Sequence, residues 1–136
     1  MPEYTKEQTV LASLRLENAK NDYQAAQLAY DQGYFKAANN RAYYCIFHAI
    51  RAVLALESVD FKSHSQIIGY FNKNYIHTGL IDTELSKIIN LANGLRTDSD
   101  YNDFFIATKE ESSEVLLGAK RFIEAITAYL DRLIPS

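Results

Sequence analysis

From Thr5 to Leu130 the apolar side chains recur three or four positions apart, and no stretch sustains the two-residue alternation of a half-buried strand. Pro occurs only at positions 2 and 135 and the five glycines lie far apart, so little interrupts that rhythm. Such a chain is confined to packed helices. The first is predicted over Thr5–Gln32, with Leu11, Leu14, Ala19, Tyr23, Ala26 and Tyr30 inward and Gly33 stopping it in the left-handed conformation. A second runs from Phe35 to Glu57. Ser63 caps a third, whose Ile67, Ile68, Phe71 and Tyr75 form one face and which ends near Thr78-Gly79. Asp82 caps a fourth, with Leu85, Ile88, Ile89 and Leu91 inward. Thr108 and Glu111 have capping-box spacing for a fifth, which carries Val115, Leu116, Ala119, Phe122, Ile123, Ile126, Tyr129 and Leu130. Short turns favour antiparallel neighbours. The expected fold is therefore all-α: an antiparallel up-and-down bundle of four to five helices, one domain over residues 1–136 with its core at about 11–130.

The second helix has two faces that want different surroundings. Tyr43, Ile46, Phe47, Ile50, Val53 and Leu54 form a broad apolar stripe suited to a core. Arg41 and His48, seven residues apart, project within about 20° of one another, and Tyr44, Cys45 and Ala52 fall near the same line. An ordinary solvated face would carry Lys and Glu there. This one reads as a semi-buried surface with one strong cation and one group that titrates near neutrality. Ala42, Ala49 and Ala52 would let a partner helix approach closely, which predicts a two-fold dimer burying that alanine-rich side.

Composition excludes several function classes. A net charge of −3 does not suit a broad electrostatic grip on nucleic acid. A single cysteine allows no internal disulfide, and no apolar run approaches the roughly 20 residues that span a bilayer. A soluble, cytoplasmic protein with no membrane contact is the expectation. No Gly-rich phosphate loop is present, and no cofactor is expected. One Cys and three scattered His give no zinc spacing. Asp98-Ser99-Asp100-Tyr101-Asn102-Asp103 starts like a calcium loop but has Asp103 where Gly is needed and Lys109 where Glu is needed, so no metal is expected. Cys45, among apolar neighbours, has the setting of an inert thiol.

Arg41 and His48 remain as candidate chemistry. Seven helical residues rise about 10 Å, too far for a direct hydrogen bond, but two such helices around a two-fold axis would bring Arg41 of one copy near His48 of the other. Imidazole moves protons near neutral pH and guanidinium holds phosphate by two hydrogen bonds, the parts needed to cleave RNA without a metal. The same two residues would equally serve as polar groups satisfied at a helix or dimer contact. Arg96 has two readings as well: a helical ion pair with Asp100, or a groove shared with Tyr101 and Arg41. His64 reads as part of a helix start, and His77 as a group that finishes the third helix.

Asn40-Arg41-Ala42-Tyr43-Tyr44, followed by Phe47-His48-Ala49 and Arg51-Ala52, resembles the signature helix of HEPN-domain proteins, in particular their small stand-alone bacterial and archaeal subgroup. The likeness extends to His64-Ser65, Thr78-Gly79-Leu80, Leu95-Arg96, Asp100-Tyr101 and Asp103-Phe104, and covers about Leu11 to Leu130. It implies a helical bundle that forms homodimers and an Arg-x(4–6)-His ribonuclease motif on Arg41 and His48. It also implies toxin-like, metal-independent RNA cleavage; on that reading, at a dimer cleft, Asn40 and Tyr44 are the candidate supporting residues and Arg51, Arg96 and Tyr101 the candidate cleft-lining ones. A minimal nucleotidyltransferase acting as antitoxin is the partner it suggests. One toxin subgroup is modified on a Tyr two residues after the His; this chain has Ile50 there. Other members bind nucleotides or partner proteins without turnover, and that binding module is the alternative function.

Overall fold

The computed structural model describes residues 3–134. Five α-helices follow in order: α1 Lys6–Asp31, α2 Phe35–Ala55, α3 His64–Phe71, α4 Leu85–Tyr101 and α5 Lys109–Leu133, with no strand among the described residues. α3 passes directly into a π-helical turn, Asn72–Ile76. Pro2 and Pro135, expected outside the elements, lie outside the described residues.

Local chemistry accounts for most of the boundaries. Thr5 and Gln8 form a full capping box at the start of α1, and Gly33 ends that helix at a φ of 81°. Thr108 caps α5 by accepting the Glu111 N–H at 3.1 Å. The box expected there is only half made, because the Glu111 carboxylate takes the Thr108 hydroxyl proton at 2.9 Å. Asp82 caps a turn rather than a helix: its carboxylate accepts the Glu84 N–H, and α4 begins three residues later, at Leu85. α2 stops at Ala55, two residues short of Glu57, after which Ser58 adopts a φ of 56°.

The core lies between the apolar face of α2 and helices α4 and α5. Tyr43, Ile46, Phe47, Ile50, Val53 and Leu54 are all buried against it, as are Phe122 and Ile126 of α5 and Ile89 of α4. One buried polar knot crosses this core. Asn39 donates to Ser99 at 3.1 Å and accepts from Ser112 at 2.7 Å, linking α2, α4 and α5 through paired groups. α5 also comes close to α4 at Gly118, where an added Cβ would stand 3.0 Å from Ile88.

α1 packs differently from expectation. Leu11 and Leu14 are exposed, and the buried stripe is Ala12, Ala19 and Ala26, seven residues apart, with Tyr23 and Tyr30 half-buried beside it. α1 lies along α2, whose Ala38, Ala42, Cys45, Ala49 and Ala52 are likewise fully buried. Small side chains on both helices allow a close approach, and the larger leucines would hold them apart. This corrects the dimer expectation. The alanine side of α2 is closed by the chain's own α1 and is not open to a second copy. No described helix is long and apolar enough to cross a membrane.

Candidate active site

Because α1 and α2 run antiparallel, the middle of one faces the middle of the other. Asp22, the carboxylate between Ala19 and Ala26 on the α1 stripe, therefore sits opposite the polar line of α2. Its Oδ1 accepts from Arg41 Nη1 at 2.9 Å, and its Oδ2 lies 3.5 Å from His48 Nε2. Two residues that cannot reach one another along their helix meet on this one carboxylate within a single chain. The expectation that a second copy is needed to bring them together is therefore revised. Asp22 was missed from the sequence. Its signal is a lone carboxylate set into an alanine stripe.

From Arg41 the network continues to α4. Asn40 Oδ1 accepts from Arg41 Nε at 3.1 Å and Nη2 at 2.9 Å, while Asn40 Nδ2 donates to Asp100 at 2.9 Å. Asp100 lies 3.4 Å from Arg96 Nε, the helical ion pair read from the spacing. Arg96 also donates from Nη2 to the Tyr44 hydroxyl at 3.2 Å. Its guanidinium lies 4.8 Å from the Tyr43 ring centre and 5.8 Å from that of Tyr101, which is 73% exposed. Arg41 covers the Tyr44 ring at 5.0 Å.

A second cluster adjoins His48 toward the end of α2. Arg51 donates to Asp60 at 3.1 Å, and Arg15 of α1 donates to the Arg51 carbonyl at 3.0 Å. A cavity of about 350 Å³, lined in part by Arg15, Asp60 and Gln8, continues from there. Four guanidiniums (Arg15, Arg41, Arg51 and Arg96) thus face three carboxylates in a chain whose overall charge is −3. Three buried nitrogens here make no hydrogen bond among the described residues: His48 Nδ1, Arg51 Nε, and Arg96 Nε, the last held only by its ion pair with Asp100. A guanidinium N–H left this way is costly unless something accepts from it. Asp98 to Asp103 form no cation loop, and among the described residues no three His, Cys, Asp or Glu side chains converge as metal ligands would.

Burial pushes the His48 pKa below its usual 6.5, and Arg51, Arg41 and Arg15 push the same way; Asp22 opposes them and is outweighed. The ring is neutral at pH 7, and its contact with Asp22 is not a full ion pair. Burial, with Arg96 and Arg51, also lowers the pKa of His64. Burial raises that of the Cys45 thiol, which stays protonated. Each imidazole binds fewer protons folded than unfolded, so stability rises with pH across that window and is lost as pH falls below about 6.5. Urea midpoints measured between pH 5 and 8 should show this decline, and His48→Gln should flatten it. An unchanged slope would place the titration elsewhere.

Ile50, two residues past His48, is fully buried in the core, so this position is not presented to any modifying partner. His64 opens α3 as expected but does more than start a helix: its ring lies 4.0 Å from that of Phe47 and its Nδ1 is 3.0 Å from the Tyr43 hydroxyl. His77 is exposed at the end of the π-turn, away from the cleft.

Comparison with known proteins identifies the family and the fold. The sequence profile of the HEPN domain family matches residues 12–129. A Methanocaldococcus jannaschii protein named "Putative toxin MJ0142" is 30% identical over 115 residues, covering 85% of this chain and 78% of the relative. A UPF0332 protein of Thermotoga maritima is 29% identical over 97 residues, covering 71% and 74%. The crystal structure of ST0689, an archaeal HEPN homologue, superposes with a TM-score of 0.60 over 86% of this chain and 95% of that one, at 19% identity.

Proposed function

Because this chain belongs to the HEPN domain family, we propose that it is a toxin-like ribonuclease that cleaves RNA without a metal ion, with Arg41 and His48 as its central catalytic pair. One observation carries the reading: Arg41 and a neutral His48 converge on Asp22, with the Arg51 guanidinium close enough to act on the same imidazole. Neutral imidazole is the form that accepts a proton. His48 takes it from the ribose 2′-OH, whose oxygen attacks the adjacent phosphorus while the P–O5′ bond breaks and the 5′ oxygen is protonated. The products are a 2′,3′-cyclic phosphate and a 5′-hydroxyl.

Arg41 has five N–H donors. Asp22 and Asn40 take three, leaving one on each Nη for the phosphoryl oxygens. Asp22 is a positioning residue: it holds the guanidinium and the imidazole in one register. Arg41→Lys should fail, since an ammonium keeps the charge but cannot grip Asp22, Asn40 and phosphate together. We expect a loss on the order of 100-fold or more for it, with unchanged circular dichroism. Wild-type turnover should persist in EDTA. Abolition by EDTA with restoration by a divalent ion would refute the metal-free reading.

A homodimer is part of the proposal. With the alanine side of α2 closed, a second copy would pair across the open rim of the cleft and set two such clusters facing each other. Light scattering at tens of micromolar should give twice the chain mass; a monomer that still cleaves RNA would remove the dimer from the mechanism. The toxin name of a relative supports a setting in which a partner restrains the activity, and a minimal nucleotidyltransferase is the partner we propose. The binding-module alternative needs the same residues, and turnover separates the two.

A further inference from the structure

The ribonuclease reading leaves one step unassigned: the departing 5′ oxygen needs a proton, and His48 has just taken one from the other side of the phosphate. We propose that His64 is the acid that supplies it, so that a single chain carries both proton-transfer groups. This rests on the ribonuclease reading and extends it.

His64 and His48 flank the same two rings. The His64 ring centre lies 4.0 Å from Phe47 and 5.9 Å from Tyr44; that of His48 lies 6.0 Å and 6.1 Å from the same pair. The two imidazoles therefore border the same pair of rings although they come from different helices, 16 positions apart in the sequence. Arg51 acts electrostatically on both imidazoles, and Arg96 on His64 as well. A phosphate drawn to Arg51 would lie beside His64 as well as His48, with its oxygens screening the guanidinium charges that otherwise oppose protonation of the ring.

The second contact of His64 fits the role. Tyr43 is buried, and burial pushes its pKa up to about 12, so its hydroxyl stays intact. A hydroxyl can donate or accept. It accepts from Nδ1–H when the ring is an imidazolium and keeps that bond after Nε2 has given up its proton. The step then balances: O2′ loses its proton to His48 and bonds to phosphorus, the P–O5′ bond breaks, and O5′ takes the His64 Nε2 proton. A purely structural His64 would need only its Tyr43 and Phe47 contacts.

The test replaces the bridging 5′ oxygen at the cut site with sulfur, a leaving group that departs without a proton. His64→Ala should cleave ordinary RNA about 100-fold or more slowly. It should cleave the sulfur-bridged RNA within roughly threefold of wild type, because the missing proton no longer matters. His64→Asn, which can keep a hydrogen bond to Tyr43 but supplies no acid, should behave the same way and guards against misfolding. His48→Ala should be slow on both RNAs. Equal losses on the two RNAs for both His64 variants, or no loss on either, would overturn the assignment while leaving the ribonuclease reading in place. Wild-type protein inert toward both RNAs would remove that reading and the role of His64 with it.

Discussion

His48→Ala should abolish RNA cleavage while leaving the bundle folded. Its loss removes the base that deprotonates the attacking hydroxyl, a contribution of about 10²- to 10⁴-fold. The structural cost is small because the side chain sits at the cleft rim, 26% exposed, and its Nδ1 makes no hydrogen bond among the described residues. Its ring contacts, a tilted one with Tyr44 and an edge one with Phe47, have centroids about 6 Å apart and can be partly replaced by neighbouring side chains. Circular dichroism should be unchanged and the melting temperature should shift by a few degrees at most. Turnover of the variant at the wild-type rate would sink the proposed role of His48. A variant that fails to fold would mean that the ring supports the α1–α2 seam.

The second large effect concerns that seam. Ala49→Leu should destabilise the protein by about 1–3 kcal/mol, because a fully buried alanine against α1 leaves no room for three further carbons. Ala19→Leu, from the other side, should do the same. Either change pushes α1 outward, and Asp22 travels with it. The account therefore expects activity to fall even where the fold survives, as a 1 Å misplacement of Asp22 loosens its hold on Arg41 and His48. Urea unfolding gives the stability and RNA cleavage at low temperature gives the coupling. A variant that melts like wild type would show that the alanine face is not tightly packed in the chain, and the alanine-mediated dimer would return as the better explanation of those residues.

Legibility in the sequence follows the strength of each physical signal. The inward faces of α2 and α5 were readable because Ile, Leu, Val and Phe at helical spacing have no other efficient use in water. On α1 the expectation holds at Ala19 and Ala26 and fails at Leu11 and Leu14, for the complementary reason. Leu11 and Leu14 carry more apolar area than any alanine, yet the helix buries Ala12, Ala19 and Ala26, because the contact with α2 is decided by closeness of approach and not by area. The polar line of Arg41, Tyr44 and His48 was visible within one helix. Asp22 was not, since its meaning depends on which turn of α1 faces which turn of α2. His64 was hidden differently: Ser63 explained it as a helix start, and nothing local shows that Phe47 and Tyr43 lie against its ring. The Arg96–Asp100 ion pair was legible because four-residue spacing on one helix suffices to bring the two together, whereas the Tyr44 contact of Arg96 depends on how α4 meets α2.

The central claim is that this cleft uses the RNA's own 2′-hydroxyl as nucleophile, with no metal and no water in the first step. One RNA of defined sequence, and the same RNA with a single 2′-deoxy residue at the mapped cut site, should be incubated with the protein in EDTA and the products weighed by mass spectrometry. The account predicts a 2′,3′-cyclic phosphate and a 5′-hydroxyl from the first RNA and an intact bond at the same position in the second. Cleavage of the deoxy-substituted site, or a 5′-phosphate on the downstream product, would contradict it.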